Sequence, residues 1–241
     1  MSTAGIILIG DEILSGKVQD ENARHAVDEL RKLGVALRRI TVIPDVLDEI
    51  AATVADFSAR YDLVFTSGGV GPTHDDLTME GVARAFAGKV IRHPLLEQML
   101  RGHYGERLRE RDLRMADVPE GAHFVIGEGG PGWPVIAMRN VHILPGVPEL
   151  FRRKFDSIKE RFREAPYVLR NVYTTSEEGL IAGELDRIVA SYGAVAVGSY
   201  PSFSAPDYKV KLTLESKDAA AVAAACEDLV RALGSAVVRV E

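Results

Sequence analysis

Two kinds of residue that could do chemistry lie close together in one segment, LVFTSGGVGPTHDDLTMEGVARAFA, residues Leu63–Ala87. The turn Gly68–Gly71 would let an anion approach the backbone N–H groups that precede a helix, which is a common way to bind phosphate. Two adjacent carboxylates, Asp75 and Asp76, would repel a bare phosphate unless a divalent cation lay between them. The combination predicts a phosphoryl or phosphoanhydride ligand together with a divalent metal ion.

A plainer interpretation of the same loop is a helix cap in an ordinary glycine-rich turn. The common nucleotide motifs do not decide the matter. There is no G-x-x-x-x-G-K-[ST] sequence, and the G-x-G-x-x-G spacing that starts at Gly69 meets His74 where its last glycine belongs. The chain therefore supports neither a P-loop nor a dinucleotide-binding fingerprint.

Acidic or turn-forming residues follow four apolar runs that are typical of buried strands. These runs and the residues after them are Gly5–Ile9 with Asp11 and Glu12, Val35–Val42 with Asp45, Leu63–Phe65 with Asp75 and Asp76, and Val141–Leu144 with Pro145–Glu149. Helical patterns alternate with these runs, and Asp20 is predicted to cap the first long helix. The alternation predicts an α/β fold with a doubly wound, mostly parallel sheet, in which ligands bind beyond the carboxyl ends of the strands.

Two segments between these strands carry less specific signals. Residues Arg92–Arg114 are charged and predicted to be helical, with a solvated face. The glycine-dense segment Gly127–Pro134 is interpreted either as a lid beside the site or as a hairpin turn. Trp133 within it is a candidate for stacking on a base or flavin, with a buried loop anchor as the alternative.

The pattern changes near Pro166. Beyond it, the order of predicted elements is βαββαβ, which is the split βαβ arrangement of a small α+β domain. Two domains are therefore predicted, over residues 1–165 and 166–241. Lys209 and Lys211 alternate with apolar residues on one strand and are interpreted as an exposed face.

Bulk properties exclude several classes of protein. The 241-residue chain has a formal net charge of −6, which does not favour binding to nucleic acid. It has no basic signal segment and no apolar run long enough to span a membrane, so a cytoplasmic location is predicted. The single Cys226 excludes an internal disulfide, and none of the six histidines has zinc-finger spacing.

These residues together resemble the MoaB/Mog-like molybdopterin-binding domain family. The resemblance rests on the Asp11-Glu12 turn, Asp45, the loop TSGGVGPTHDDLT and the turn Pro145–Glu149. Within the family, the sequence is most similar to the branch formed by the N-terminal parts of the competence/damage-inducible protein CinA and of eukaryotic FAD synthase. Arg139-Asn140-Val141 and the later Gly198–Pro201 are similar to the FAD synthase type.

The resemblance implies a site and a set of ligands. Asp76 and Asp45 match the two aspartates of Mog-type enzymes, and Asp11 and Asp75 belong to the pattern of the branch. It implies catalytic roles for Asp76, Asp45 and Asp75, and a metal site for Mg²⁺, Mn²⁺ or Co²⁺ formed by Asp11, Asp45, Asp75 and Asp76. The candidates for binding the phosphates or the ligand are Gly68, Gly69, Gly71, Thr73, Gly146, Pro148 and Glu149. A homo-oligomer is also implied.

Two functions are carried forward, and a third remains open. The first is metal-dependent hydrolysis of a nucleotide pyrophosphate such as FAD or ADP-ribose to mononucleotides. The alternative is a module that binds molybdopterin, or its adenylylated form, without turnover. The third is an interaction protein whose site has decayed. A small-molecule nucleotide or pterin is the expected partner in the first two cases.

Overall fold

The structure is a computed structural model, and it describes residues 2–127 and 132–241. The chain forms two compact units, of which the first ends at Glu164 and the second spans Ala165–Glu241. In the segment Gly127–Pro134, predicted to be a lid or a turn, residues 128–131 lie outside the described residues. Among the described residues, no helix combines the length and apolar character that crossing a membrane requires.

A six-stranded sheet organises the first unit, with strand order β2-β1-β3-β8-β7-β6. The strands of this unit are β1 (Thr3–Ile9), β2 (Ala36–Ile43), β3 (Leu63–Ser67), β4 (Val90–Arg92), β5 (Asp117–Pro119), β6 (His123–Val125), β7 (Val135–Met138) and β8 (Val141–Leu144). Strands β2, β1, β3 and β8 are parallel, whereas β7 and β6 continue the sheet in antiparallel fashion. Strands β4 and β5 form a separate antiparallel pair. The predicted mostly parallel sheet is confirmed.

Helices cover both faces of this sheet, as predicted for a doubly wound fold. They are α1 (Asp11–Leu14), α2 (Asn22–Lys32), α3 (Leu47–Arg60), α4 (Thr78–Ala85), α5 (Pro94–Tyr104) and α6 (Pro148–Ile158). On one face, Leu30 of α2 and Phe155 of α6 share a buried core with Phe65 of β3. On the other face, Phe57 of α3 and Val82 of α4 pack in a second core. Burying apolar side chains on both faces explains why the parallel strands are continuous apolar runs.

Local sequence explains where the helices begin and end. The side chain of Asp20 accepts hydrogen bonds from the N–H groups of Asn22 and Ala23, at 3.2 and 3.0 Å, so the predicted cap of α2 is confirmed. The prediction of helix over residues 92–114 is only partly right. Helix α5 ends at Tyr104, where Gly105 has a φ of 54°, and short 3₁₀ helices follow at Gly105–Arg107 and Glu110–Ala116.

The second unit is a four-stranded antiparallel sheet with two helices. Its elements are β9 (Val168–Thr174), α7 (Glu178–Ser191), β10 (Ala196–Pro201), β11 (Val210–Ser216), α8 (Ala219–Leu233) and β12 (Val237–Val240). The strand order is β10-β11-β9-β12, which confirms the predicted βαββαβ arrangement. Leu212 and Leu214 of β11 pack against Leu229 of α8, and Cys226 is buried in the same core.

Candidate functional site

Four turns lie at one edge of the first sheet, beyond the carboxyl ends of β2, β1, β3 and β8. These strands are neighbours in the sheet, and their last residues are in register: Ile9 pairs with Ile43, Leu8 with Ser67, and Ser67 with Leu144. We call this the ligand edge. It brings together the acidic turn after β1, Asp45 after β2, the glycine loop Gly68–Gly71 after β3, and the turn Pro145–Glu149 after β8.

The first glycine of the glycine loop has a structural role. Gly68 has a φ of 107°, and a Cβ atom placed on it would lie 2.1 Å from the carbonyl oxygen of Ile9. Its N–H donates to the carbonyl of Leu144 at 3.2 Å. The Gly68 N–H, which the sequence interpretation assigned to phosphate, is therefore already used, and this part of the prediction is wrong. Only glycine permits β1 and the loop to approach so closely.

The rest of the glycine loop keeps its backbone donors. Among the hydrogen bonds of the described residues, none is donated by the N–H groups of Gly69, Val70 or Gly71. The loop is held instead through its carbonyl groups, because the N–H of Thr78 donates to Gly69 at 3.0 Å and its hydroxyl donates to Gly68 at 2.8 Å. Three successive amides are thus left for a ligand.

The two aspartates after the glycine loop differ in their surroundings. The Asp76 carboxylate accepts hydrogen bonds from the N–H of Thr73, at 2.8 Å, and from its hydroxyl. Asp75 is more open, with 60% of its side chain exposed and His74 at 3.8 Å. The Thr73 side chain, together with the backbone N–H of Asp75, lowers the pKa of the Asp75 carboxyl. Thr73 therefore lies between the two carboxylates, and its hydrogen bonds to Asp76 stabilise the loop.

The aspartates after β1 and β2 form what we call the acidic pair, Asp11 and Asp45. The N–H of Asp11 donates to the Asp45 carboxylate at 3.0 Å. Burial raises the pKa of Asp45, and the negative charges of Glu12, Asp11 and Asp75 add to the increase, whereas the Asp11 hydrogen bond opposes it. Several carboxylates are thus close enough to repel one another at this end of the ligand edge. A bound cation would reduce this repulsion.

The described residues do not form a complete metal site. Within the part of the chain that the structure describes, no group of three or more His, Cys, Asp or Glu side chains is arranged to hold a metal ion. The predicted set Asp11, Asp45, Asp75 and Asp76 is therefore not assembled in this conformation, and Asp76 is bonded to Thr73. Mg²⁺, however, commonly binds through one or two carboxylates together with substrate phosphates. The acidic pair fits such a site.

The turn after β8 is held against the glycine loop by a residue that the sequence did not reveal. Asn22, which is only 4% exposed, donates to the hydroxyl of Ser67 at 2.9 Å and to the carbonyl of Gly146 at 2.7 Å. A Cβ atom on Gly146 would lie 3.2 Å from the Cα atom of Gly68. Pro148 begins α6 and Glu149 is exposed in its first turn, where no side chain caps the helix.

A cavity of about 130 Å³ opens on the α4 side of the glycine loop. Gly69, Val70, Gly71 and Asp76 form one side of it, and Arg114 forms part of another. The Arg114 guanidinium donates to the carbonyl of Thr73 at 2.9 Å. Sequence reasoning treated this arginine as one charge on a solvated face, because nothing in its spacing connects it with a loop 41 residues earlier.

Comparisons with known proteins follow the division into two units. Residues 5–164 match the family model described as probable molybdopterin binding domain, and residues 166–241 match the model described as FAD synthase, middle domain. The chain is 33% identical to the probable FAD synthase of Caenorhabditis elegans, over 89% of this chain and 47% of that protein. It is 37% identical to a CinA-like protein of Desulfosudis oleivorans, over 64% of this chain and 39% of that protein.

A solved structure is also similar. The crystal structure of the protein CinA from Thermoplasma acidophilum aligns with a TM-score of 0.60 at 31% identity, and it covers 67% of this chain and 99% of that one. The chain spans less than half the length of the two named relatives, so what those whole proteins do does not transfer directly to it.

Proposed function

We propose that this chain, which belongs to the family of the probable molybdopterin binding domain, hydrolyses nucleotide pyrophosphates of the FAD or ADP-ribose type with the help of a divalent metal ion. The resemblance stated from the sequence is confirmed by the family match, and the FAD synthase and CinA-like relatives support the same branch. The products would be two mononucleotides from FAD, and AMP and a sugar phosphate from ADP-ribose.

The observation that carries the proposal is the position of unlike groups at one edge. The acidic pair lies beyond β2 and β1, and the free amides of the glycine loop lie beyond β3, which is the next strand. Amides stabilise negative charge on phosphate oxygens, and carboxylates bind the cation that accompanies a pyrophosphate. A ligand with both phosphate and metal satisfies both sets of groups.

Each group of residues at the ligand edge would then have a separate role in the reaction. Asp11 and Asp45 would hold the cation, with Asp75 nearby, while Gly69–Gly71 would bind phosphate oxygens through backbone N–H groups. A bound divalent ion supplies positive charge at the phosphoryl oxygens and acidifies the attacking water. Water adds to one phosphorus atom as the bridging oxygen leaves with the other phosphate, so each product carries one phosphate. Asp76 would keep Thr73 and the loop in the conformation that exposes the amides.

The name of one relative supports the choice of substrate class. The similar C. elegans protein is named a probable FAD synthase, and the second unit of this chain matches the middle domain of that enzyme type. FAD and ADP-ribose share an adenylate joined to a second group through a pyrophosphate. AMP release is therefore the common readout for both substrates.

The test is to incubate the purified chain with FAD or ADP-ribose and Mg²⁺, Mn²⁺ or Co²⁺ and to measure AMP. We expect AMP with at least one metal, none in EDTA, and a loss of at least about 100-fold in Asp45→Asn. Asp76→Ala should also reduce the rate. Absence of AMP with every metal and substrate would refute hydrolysis, and an unchanged rate in Asp76→Ala would refute the role given to Asp76.

A second candidate is the binding of molybdopterin, or adenylylated molybdopterin, without turnover. It is favoured by the description of the family matched over residues 5–164. Calorimetry with molybdopterin separates the two functions, because this candidate predicts binding without AMP release. Failure to bind any nucleotide or pterin would leave a protein that acts only through interactions.

We also propose a cytoplasmic homo-oligomer, as the sequence resemblance implies. Light scattering after size-exclusion chromatography tests the oligomeric state, and fractionation of cells tests the location. A monomer at every concentration measured would refute the first part.

A further inference from the structure

The cavity beside the glycine loop contains a cation whose bonding capacity is largely unused. Arg114 lies on the 3₁₀ segment Glu110–Ala116, where Leu113 and Ala116 are buried and fix the backbone. One of its N–H groups donates to the carbonyl of Thr73. A guanidinium has five N–H donors, so most of the donors of this cavity-lining residue remain available for a ligand.

The negative groups around the same cavity are mostly engaged elsewhere. Asp117 accepts two hydrogen bonds from Arg92, at 2.9 and 3.3 Å, and Asp76 accepts those from Thr73. Glu80 is the third carboxylate at the cavity, and it is exposed. As far as the described residues go, Arg114 forms an ion pair with none of the three. The backbone carbonyl of Thr73, and not a carboxylate, therefore orients the guanidinium.

Donors of two independent kinds thus line one small cavity. Gly69–Gly71, whose N–H groups are not used within the described residues, come from the turn after β3, and Arg114 comes from a segment far away in sequence. Guanidinium groups bind phosphate through paired, charge-assisted hydrogen bonds, and backbone amides add further donors.

We propose that Arg114 contacts the substrate, and that the cavity between Arg114 and the glycine loop holds one phosphate of the pyrophosphate. The inference rests on the proposed function, which it deepens by naming a substrate-binding residue that comes from outside the four turns of the ligand edge. The same guanidinium holds the Thr73 carbonyl, so it would place the loop and bind the phosphate at once. Glu80 would oppose the phosphate charge from the cavity wall.

The experiment compares Arg114→Gln with Arg111→Gln, a matched neighbour whose side chain is 64% exposed and which does not line the cavity. Binding of ADP-ribose in EDTA is measured by calorimetry, separately from AMP release with metal. We expect R114Q to weaken binding and raise KM by about tenfold or more while kcat changes by less than about threefold. R111Q should match the wild type, and R114K should recover part of the affinity because it keeps the charge.

Glu80→Gln tests the sign of the ligand's charge. It should tighten ADP-ribose binding, since it removes a repelling carboxylate from the cavity. Equal affinities in R114Q and R111Q, an R114K that binds no better than R114Q, or weaker binding in E80Q would each overturn the inference. If the wild type binds ADP-ribose and responds to these variants but releases no AMP, hydrolysis fails and the phosphate site stands.

Discussion

Acidification should destabilise the first unit through one buried imidazole, that of His142 on β8. The side chain is 8% exposed and packs against the rings of Phe65 and Phe162, with centroid distances of 5.3 and 5.0 Å. Burial lowers the pKa of His142 to about 4, and backbone hydrogen bonds at Val64 and Asn140 only partly oppose this effect. In the unfolded chain the same group has a pKa near the ordinary value of about 6.5.

The direction of the change in stability with pH follows from proton uptake. Between about pH 6.5 and pH 4, the unfolded chain binds a proton at His142 and the folded chain does not, so falling pH favours unfolding. Above the unfolded pKa, the group is neutral in both states and makes no difference to stability. A difference of about 2.5 pKa units corresponds to about 3 kcal/mol once the pH is below both values, and to about 2 kcal/mol at pH 5.

The assay is urea unfolding at pH 8, 7, 6 and 5, followed by tryptophan fluorescence. Trp133 is the only tryptophan of the chain, and it packs against a core of the first unit, so the signal reports that unit. His142→Phe keeps an aromatic side chain between Phe65 and Phe162 and removes the titrating group. Its stability should fall by about 2 kcal/mol less than that of the wild type between pH 8 and pH 5.

His103→Gln is the matched control, because it removes a histidine that is exposed on α5 instead of a buried one. Apart from these two histidines, the titratable groups are common to all three proteins, so their contributions cancel in the comparison. A His142→Phe protein with the pH dependence of the wild type would refute the assignment of this stability loss to the buried imidazole.

Three further predictions concern the ligand edge. Gly68→Ala should destabilise the first unit by about 3 kcal/mol or more in the same urea assay, because the new Cβ would overlap the Ile9 carbonyl. Gly16 is the control, since it also has a positive φ, of 71°, but has open space around it. Gly16→Ala should therefore cost only about 1 kcal/mol. Asn22→Asp should lower stability by at least about 2 kcal/mol and more than Asn22→Ala, since the isosteric carboxylate cannot donate to Gly146; equal losses would contradict the hydrogen bond. Asp45→Asn should raise the melting temperature at pH 8 and low salt while it abolishes AMP release. The raised pKa of Asp45 means that its negative charge opposes folding, and this penalty grows as pH rises through that pKa. Because burial is the largest cause of the raised pKa, the gain should persist in part at high salt, and a melting temperature at pH 8 that is unchanged or lower in Asp45→Asn would contradict this reasoning.

The sequence was sufficient to predict the fold because its signals are local and repeated. The apolar runs of β1, β3 and β8 correctly predicted the buried strands, and Asp20 correctly predicted the start of α2. Strands β6 and β7, of three and four residues, were not predicted, because so few residues carry no periodic signal. The sequence predicts helix up to Arg114, but the chain after Tyr104 forms short 3₁₀ helices, because apolar spacing does not distinguish an α-helix from successive 3₁₀ turns.

The candidate site was predictable only as far as the backbone determines it. The turn positions follow from strand order, so Asp11, Asp45, Asp75 and Gly68–Gly71 were correctly assigned to one edge. Side-chain direction depends on neighbours that are distant in sequence. Asp76 turns toward Thr73, Gly68 gives its N–H to Leu144, and Asn22 reaches across to Gly146. The spacing of residues in the sequence predicts none of these three contacts.

The separation of the two polar regions bears on the length of the ligand. The acidic pair follows β1 and β2, whereas the Arg114 cavity lies beside the loop that follows β3. Neighbouring strands are about 4.8 Å apart, so the ends of β2 and β3 are separated by roughly 10 Å. We therefore expect a single phosphate group to occupy only one of the two regions. A pyrophosphate that joins two larger groups can place one phosphate at the cavity and the other near the acidic pair. A mononucleotide such as AMP should therefore bind more weakly than ADP-ribose, and it should lose affinity in only one of the variants Arg114→Gln and Asp45→Asn, whereas ADP-ribose measured with metal should lose affinity in both.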